Sequence, residues 1–270
     1  MKKILAIALT LTLLFALAVS SSAALPSGWA FNGTEDMFKI NADGSVSPYY
    51  GDPTAGANLG AGYDVSAFNN NFTATVEVFL PELTKVGDKR VTGSPVVTVK
   101  AEDPASNAWI KGFALKIVNY EGHAAGTDTN FANWGGTFNV IEAWNPASAS
   151  AGAPLAVASY ADLGIKAGQW NTVKVIVEGN FVTFYVNDVL AVDGIESATN
   201  GNYLVLGTNG DGGNPAFRNL VIKSNNGAVA DYTAFTATAA GPADIEVVAI
   251  VGAMLIALMA AAFVVKARKA

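Results

Sequence analysis

The chain has 270 residues, 51% of them apolar and 14% charged, with a formal charge of −6, one histidine and no cysteine. That composition excludes a disordered acidic tail, a disulfide-stapled miniprotein, a thiolate metal centre and a cysteine nucleophile. Residues 25–244 carry 11 basic against 21 acidic side chains, a field that repels nucleic acid and anionic lipid surfaces, so neither is an expected partner.

In chain order, the first element is a leader. Lys2 and Lys3 precede an apolar run over 4–19 and the small residues Ser20, Ser21, Ser22, Ala23 and Ala24. This is the pattern of a secretory signal peptide over residues 1–23. A domain over 25–225 follows, made of short segments that alternate apolar and polar residues between clusters of Gly, Asn, Asp and Pro. In the segment 72–80, Phe72, Ala74, Val76, Val78 and Leu80 share one face and Thr73, Thr75 and Glu77 the other. Further strands are expected over 96–100, 113–119, 138–143, around Val173, Val175 and Val177, and over 181–186, 189–192, 203–207 and 217–223. Gly179-Asn180 and Asn187-Asp188 each separate two such segments by two residues, which predicts tight hairpins and a three-stranded meander. Many short strands without intervening helices predict an all-β fold, a two-sheet antiparallel β-sandwich or jelly roll.

The Ala-, Thr- and Gly-rich stretch 226–244 reads as a flexible linker. Residues 245–265 then hold one charge, Glu246, and at about 1.5 Å per residue they extend about 31 Å, the thickness of a bilayer core. Lys266, Arg268 and Lys269 in the tail 266–270 place that end in the cytoplasm. The expectation is a single-pass cell-membrane protein with a transmembrane helix at the C-terminal end and its sandwich outside.

The run Gly168-Gln169-Trp170-Asn171-Thr172 through Val186-Asn187-Asp188 resembles the late hairpin of concanavalin-A-like lectin and glucanase domains, laminin-G-like modules included. The run Asn214-Pro215-Ala216-Phe217-Arg218-Asn219-Leu220-Val221-Ile222-Lys223 is similar to the closing strand of 3-keto-disaccharide hydrolase-like domains, of the same superfold. The resemblance implies a sandwich, and its second part implies an enzyme that cleaves an oxidised sugar.

Read for chemistry, the residues point toward binding. A glycosidase needs two carboxylates flanking the scissile bond, yet the segment 139–144 offers one acid, Glu142. Glu142, His123 and Asp211 are the catalytic candidates. Sugars dock their CH faces on aromatic rings while amide and carboxylate groups hold their hydroxyls. Asn133 and Trp134, Trp144 and Asn145, and Tyr50 with Asp52 stand in loops of that composition, whereas Trp29 and Trp170 are expected to fill or cap the core. No cofactor is required, although Asn209, Asp211 and Asn214 offer oxygens to a calcium ion. The leading expectation is a surface-anchored, non-catalytic, lectin-like module for a polysaccharide or other glycan. The alternatives are a hydrolase acting on a 3-keto-disaccharide and a structural or adhesive surface protein.

Overall fold

The computed structural model describes residues 25–31, 37–48, 59–82, 84–86, 89–91, 93–104, 111–118, 140–145, 155–209 and 215–236. The strands, numbered along the chain, begin with β1 (Trp29–Phe31), β2 (Phe38–Ile40), β3 (Val46–Pro48), β4 (Leu59–Asp64), β5 (Asn71–Leu80), β6 (Thr84–Val86) and β7 (Lys89–Val91). There follow β8 (Ser94–Ala101), β9 (Phe113–Val118), β10 (Val140–Trp144), β11 (Ala156–Ser159) and a single helical turn, α1 (Tyr160–Leu163). The last are β12 (Gln169–Glu178), β13 (Phe181–Val186), β14 (Val189–Glu196), β15 (Tyr203–Asn209), β16 (Ala216–Ser224) and β17 (Tyr232–Ala234). Sheet A has the order β1-β4-β15-β8-β9-β10-β11, and sheet B the order β14-β13-β12-β5-β16-β3-β2 with β17 paired to β16. Every pairing between these strands is antiparallel, so the expected two-sheet sandwich is the fold. Residues 1–23 and 245–265 lie outside the described residues, and among the described residues no helix is long and apolar enough to cross a membrane.

Alternation is what closes the sandwich. Along β5 every second residue is buried, and Phe72, Ala74, Val76, Val78 and Leu80 enter the core. On β12 and β13 the inward set is Val173, Val175, Val177, Val182, Phe184 and Val186. Sheet A answers with Val97, Val99, Phe113, Leu115, Ile117, Leu204 and Leu206 in the same apolar cluster. Each such side chain contributes about 1.5–3 kcal/mol by leaving water, set against about 1–2 kcal/mol for fixing each residue's backbone.

The two turns of the meander form as their residues dictate. Gly179 takes φ +61°, and Asn187 and Asp188 take +49° and +64°, the left-handed values that match a tight hairpin to strand twist. Asn187 also works through its side chain, accepting from Thr172 N at 2.9 Å and donating to the carbonyls of Leu163 and Gly164 at 3.1 Å. The turn α1 is capped by Ser159, whose hydroxyl accepts from Asp162 N, and stops at Gly164 with φ +62°. From α1, the Tyr160 hydroxyl donates to Val118 O at 2.9 Å, and burial pushes that phenol's pKa up.

Two contacts join parts of the chain that are far apart in sequence. Lys100, at a bulge with φ +52°, is 1% exposed and donates to Gly179 O and Asn200 Oδ1 at 2.9 Å and to Asn180 Oδ1 at 3.3 Å. It thereby ties one end of sheet A to the β12–β13 hairpin of sheet B, and burial lowers its pKa. Gly201 lies so close that a Cβ there would overlap the Ala101 carbonyl. At the β1/β17 edge, Trp29 Nε1 donates to Tyr232 Oη at 2.8 Å, Tyr232 stacks on Tyr63 at 3.9 Å, and Phe235 meets Trp29 edge-on at 4.8 Å. Part of the stretch expected as linker is therefore folded, since Tyr232 and Ala234 of β17 pair with Ile222 and Leu220. A three-residue strand is too short to display a period.

Phe184→Ala is expected to cost about 3–5 kcal/mol, while Phe181→Ala, at a 52% exposed site, costs less than about 0.5 kcal/mol; urea denaturation compares them. Burial raises the phenol pKa values of Tyr63, Tyr160 and Tyr232. The stability these neutral phenols confer is present below about pH 10 and is lost as pH rises through their folded values. Urea midpoints taken from pH 9 to pH 12 should fall, with tyrosinate absorbance lagging that of the unfolded chain.

Candidate functional site

Strand register assembles the site before any side chain is considered. Leu59 opens β4 opposite Thr208, Asn209 closes β15 opposite Ser94, and Val118 closes β9 opposite Val140. The pairing of Val96 with Lys116 puts Ser94 and Val118 at the same end of the sheet. The chain connections 49–58, 119–139 and 210–214 are therefore all anchored at one end of sheet A. Their anchoring strands, from β4 to β10, are four neighbours apart, about 19 Å at 4.7–4.9 Å per strand. Those connections carry Tyr50, Asp52, His123, Asn133, Trp134, Asp211 and Asn214, which lie outside the described residues. Asn209, the remaining calcium candidate, is the last residue of β15 at that end. Among the described residues no group of three or more His, Asp or Glu comes together to hold a metal ion.

Below this end, the side of sheet A turned away from the core has an unusual make-up. Its first rung runs Gly60, Gly207, Val96, Lys116 and Glu142 across β4, β15, β8, β9 and β10. The second runs Gly62, Val205, Thr98, Ala114 and Trp144. Every residue of β8 and β9 is buried, so these central strands are closed from solvent on both faces. Polar groups in such a place are costly unless they are partnered. Lys116 is 5% exposed and pairs in register with Glu142, and the fully buried Thr98 hydroxyl has no hydrogen-bond partner among the described residues. A buried polar residue carries more information than an exposed apolar one, which makes this half of sheet A the candidate region.

The structure divides the predicted residues. Glu142 falls on the rung next to the loop-bearing end. Trp144 and Asn145 do not form the exposed platform expected of them. Trp144 is 3% exposed and packs with Val96 and Ala114, because β10 runs on through it and the small Ala114 opposite leaves room for the indole. Asn145 is 6% exposed, accepts from Ala198 N at 2.8 Å and donates to Glu196 O at 3.0 Å, which fastens the far end of β10 to the segment after β14. Thr98 and Lys116 are the residues that sequence reasoning missed. Their signal was a polar residue inside runs apolar on both faces, Pro95-Val96-Val97-Thr98-Val99 and Phe113-Ala114-Leu115-Lys116-Ile117, the mark of a doubly covered strand.

Elsewhere, Trp170 is neither in the core nor near this site. It is half-buried on the outer face of sheet B with the Arg218 guanidinium 3.9 Å over its ring. Glu77 holds that arrangement, accepting from Arg218 Nε at 2.6 Å and from Asn219 Nδ2 at 2.9 Å.

The described strands form an antiparallel two-sheet sandwich in which three connections leave from one end of sheet A. The chain belongs to the family of 3-keto-alpha-glucoside-1,2-lyase-like domains, whose model matches residues 24–223. Among solved structures it is similar to the carbohydrate-binding module CBM66 from Bacillus subtilis, at 14% identity and a TM-score of 0.45 over 76% of this chain and 99% of that one. It is similar also to lectin II from Ulex europaeus, at 12% identity and a TM-score of 0.44 over 72% of this chain and 94% of that one. A third is the alginate lyase AlgAT5 of polysaccharide lyase family 7, at 13% identity and a TM-score of 0.44 over 74% and 99%. No curated protein matches the chain.

Removing an unpartnered buried hydroxyl while keeping its shape recovers a desolvation cost of about 1–3 kcal/mol. Thr98→Val is therefore expected to raise stability by about 1 kcal/mol, read from the urea midpoint, whereas Thr98→Ala lowers it by leaving a void.

Proposed function

We propose that this protein is a membrane-anchored, extracellular glycan-binding module whose ligand sits at the loop-bearing end of sheet A. The observation that carries the reading is that the strands flanking the connections 49–58, 119–139 and 210–214 all end at that side, next to the register pair Lys116 and Glu142. Loops on a rigid scaffold are where recognition residues collect. Trp134 and Tyr50 supply aromatic faces for sugar CH groups, and Asp52, Asn133, Asp211 and Asn214 supply acceptors and donors for hydroxyls. Membership of a family named for a keto-glucoside lyase points to a glucoside, free or oxidised at C3, as the ligand class. Anchoring rests on the apolar span 245–265 and the basic residues after it.

A second reading, catalysis on a 3-keto-glucoside, is favoured by the family match and by the register pairing of Lys116 with Glu142. The two readings diverge in a simple experiment. The full chain in detergent is titrated with glucosides and their 3-keto forms by calorimetry, and the mixtures are analysed for cleavage products. The binding reading expects saturable binding without turnover, a loss of at least tenfold in affinity for Trp134→Ala and Asp52→Ala, and no change for Phe181→Ala on sheet B. Product formation abolished by Glu142→Gln establishes the enzyme instead, and binding unaffected by every loop variant removes the site.

A further inference from the structure

The described fold brings both of its ends to one edge. Trp29 follows the first described residues and belongs to β1, the outermost strand of sheet A, while Phe235 directly follows β17, which lines the same side of sheet B. Trp29 touches both Tyr232 and Phe235, and Tyr63 of β4 completes the cluster. The last described residue, Thr236, is separated by eight residues, 237–244, from the apolar span that starts at Ile245. Eight residues span at most about 29 Å when fully extended. From β17 through β16, β5, β12 and β13 to β14 the domain measures five strand spacings, about 24 Å. A tether that starts beside β17 and reaches little further than that width keeps the β1/β17 edge nearer the anchor than the β11/β14 edge.

From this we infer that the β1/β17 edge is the membrane-facing side of the domain, held at the lipid headgroup layer, with the β11/β14 edge pointing outward. The inference rests on the membrane-anchored reading above. The chemistry of the edge suits that position, because Trp29, Tyr63 and Tyr232 are half-buried rings with an indole N–H and hydroxyls, the residue types that collect where hydrocarbon meets water. Two further features fix the geometry. The Trp29–Tyr232 hydrogen bond spans 203 residues of sequence, so the leader end and the tether end stay on this one side. The sheets stand edge-on to the bilayer, so the loop-bearing end of sheet A opens along the membrane surface, neither into it nor straight away from it.

The absence of native cysteine makes single-site labelling clean. Asp231→Cys places a donor fluorophore beside β17, at a site whose contact with Lys223 is an exposed ion pair worth little, and Asp193→Cys places one on the exposed strand β14. The full chain is reconstituted into phosphatidylcholine vesicles bearing a headgroup acceptor dye, and its embedding is checked by extraction with alkaline carbonate. Energy transfer is expected to be at least twofold more efficient from position 231 than from position 193. Equal or reversed efficiencies in a chain that resists extraction overturn the orientation while leaving the anchor intact. A chain released by carbonate overturns the anchored reading and the orientation together. Tyr232→Ala supplies a further check: freeing β17 lengthens the tether, and the ratio between two otherwise identical labelled chains should fall toward one, whereas an unchanged ratio overturns the role assigned to the aromatic clasp.

Discussion

The structure depends on face-to-face burial of alternate residues. Sheet B sends in one side chain in two from β5, β12 and β13, sheet A replies from β8, β9 and β15, and the resulting core is held without a covalent cross-link. Because a strand's side chains alternate strictly, a slip of one residue in any of these strands would carry its whole apolar set to the wrong side. Register is therefore firmly specified in the middle of the sheets, and the position of every connection follows from it. The ends of the sheets inherit their precision from the core, which is how residues scattered from 50 to 214 come to be carried by connections that start from one place.

How much of this was legible in the sequence depended on whether a strand has one wet face. β5 and β12 do: alternation gave the extent of β5 to within a residue and the centre of β12, and β13 coincides with its predicted range. The hairpins at 179–180 and 187–188 were equally readable, since glycine, asparagine and aspartate are the residues that tolerate left-handed backbone. Strands of three residues, β1, β2, β3, β6, β7 and β17, were not foreseen because such lengths contain no period. β8 and β9 were found as strands but misjudged in value. Buried on both sides, they read as plain apolar runs, and the Thr98 and Lys116 positions inside them passed without notice. Trp144 failed for the opposite reason, because its neighbours Asn145 and Pro146 look like a loop while its own place is set by Ala114 across the ladder.

The candidate site illustrates a division of labour between the two sheets. Sheet B is an ordinary amphipathic sheet: its inner face is apolar, and its outer face is laced by cross-strand contacts such as Lys174 over Tyr185 at 4.2 Å and the Trp170, Arg218 and Glu77 set. Those contacts are modest, each about 1 kcal/mol or less, and they stiffen the face without assigning it chemistry. Sheet A keeps Thr98 and Lys116 buried on its central strands, and the Thr98 hydroxyl there has no hydrogen-bond partner among the described residues.

Lys100 carries a further consequence. Its ammonium is satisfied by a carbonyl and two amide oxygens, all neutral, in a place that solvent does not enter. Mobile ions weaken attractions between exposed charges but reach enclosed ones far less, and here no carboxylate stands opposite for them to compete with. The rivet between the sheets should hold as firmly in brine as in fresh water.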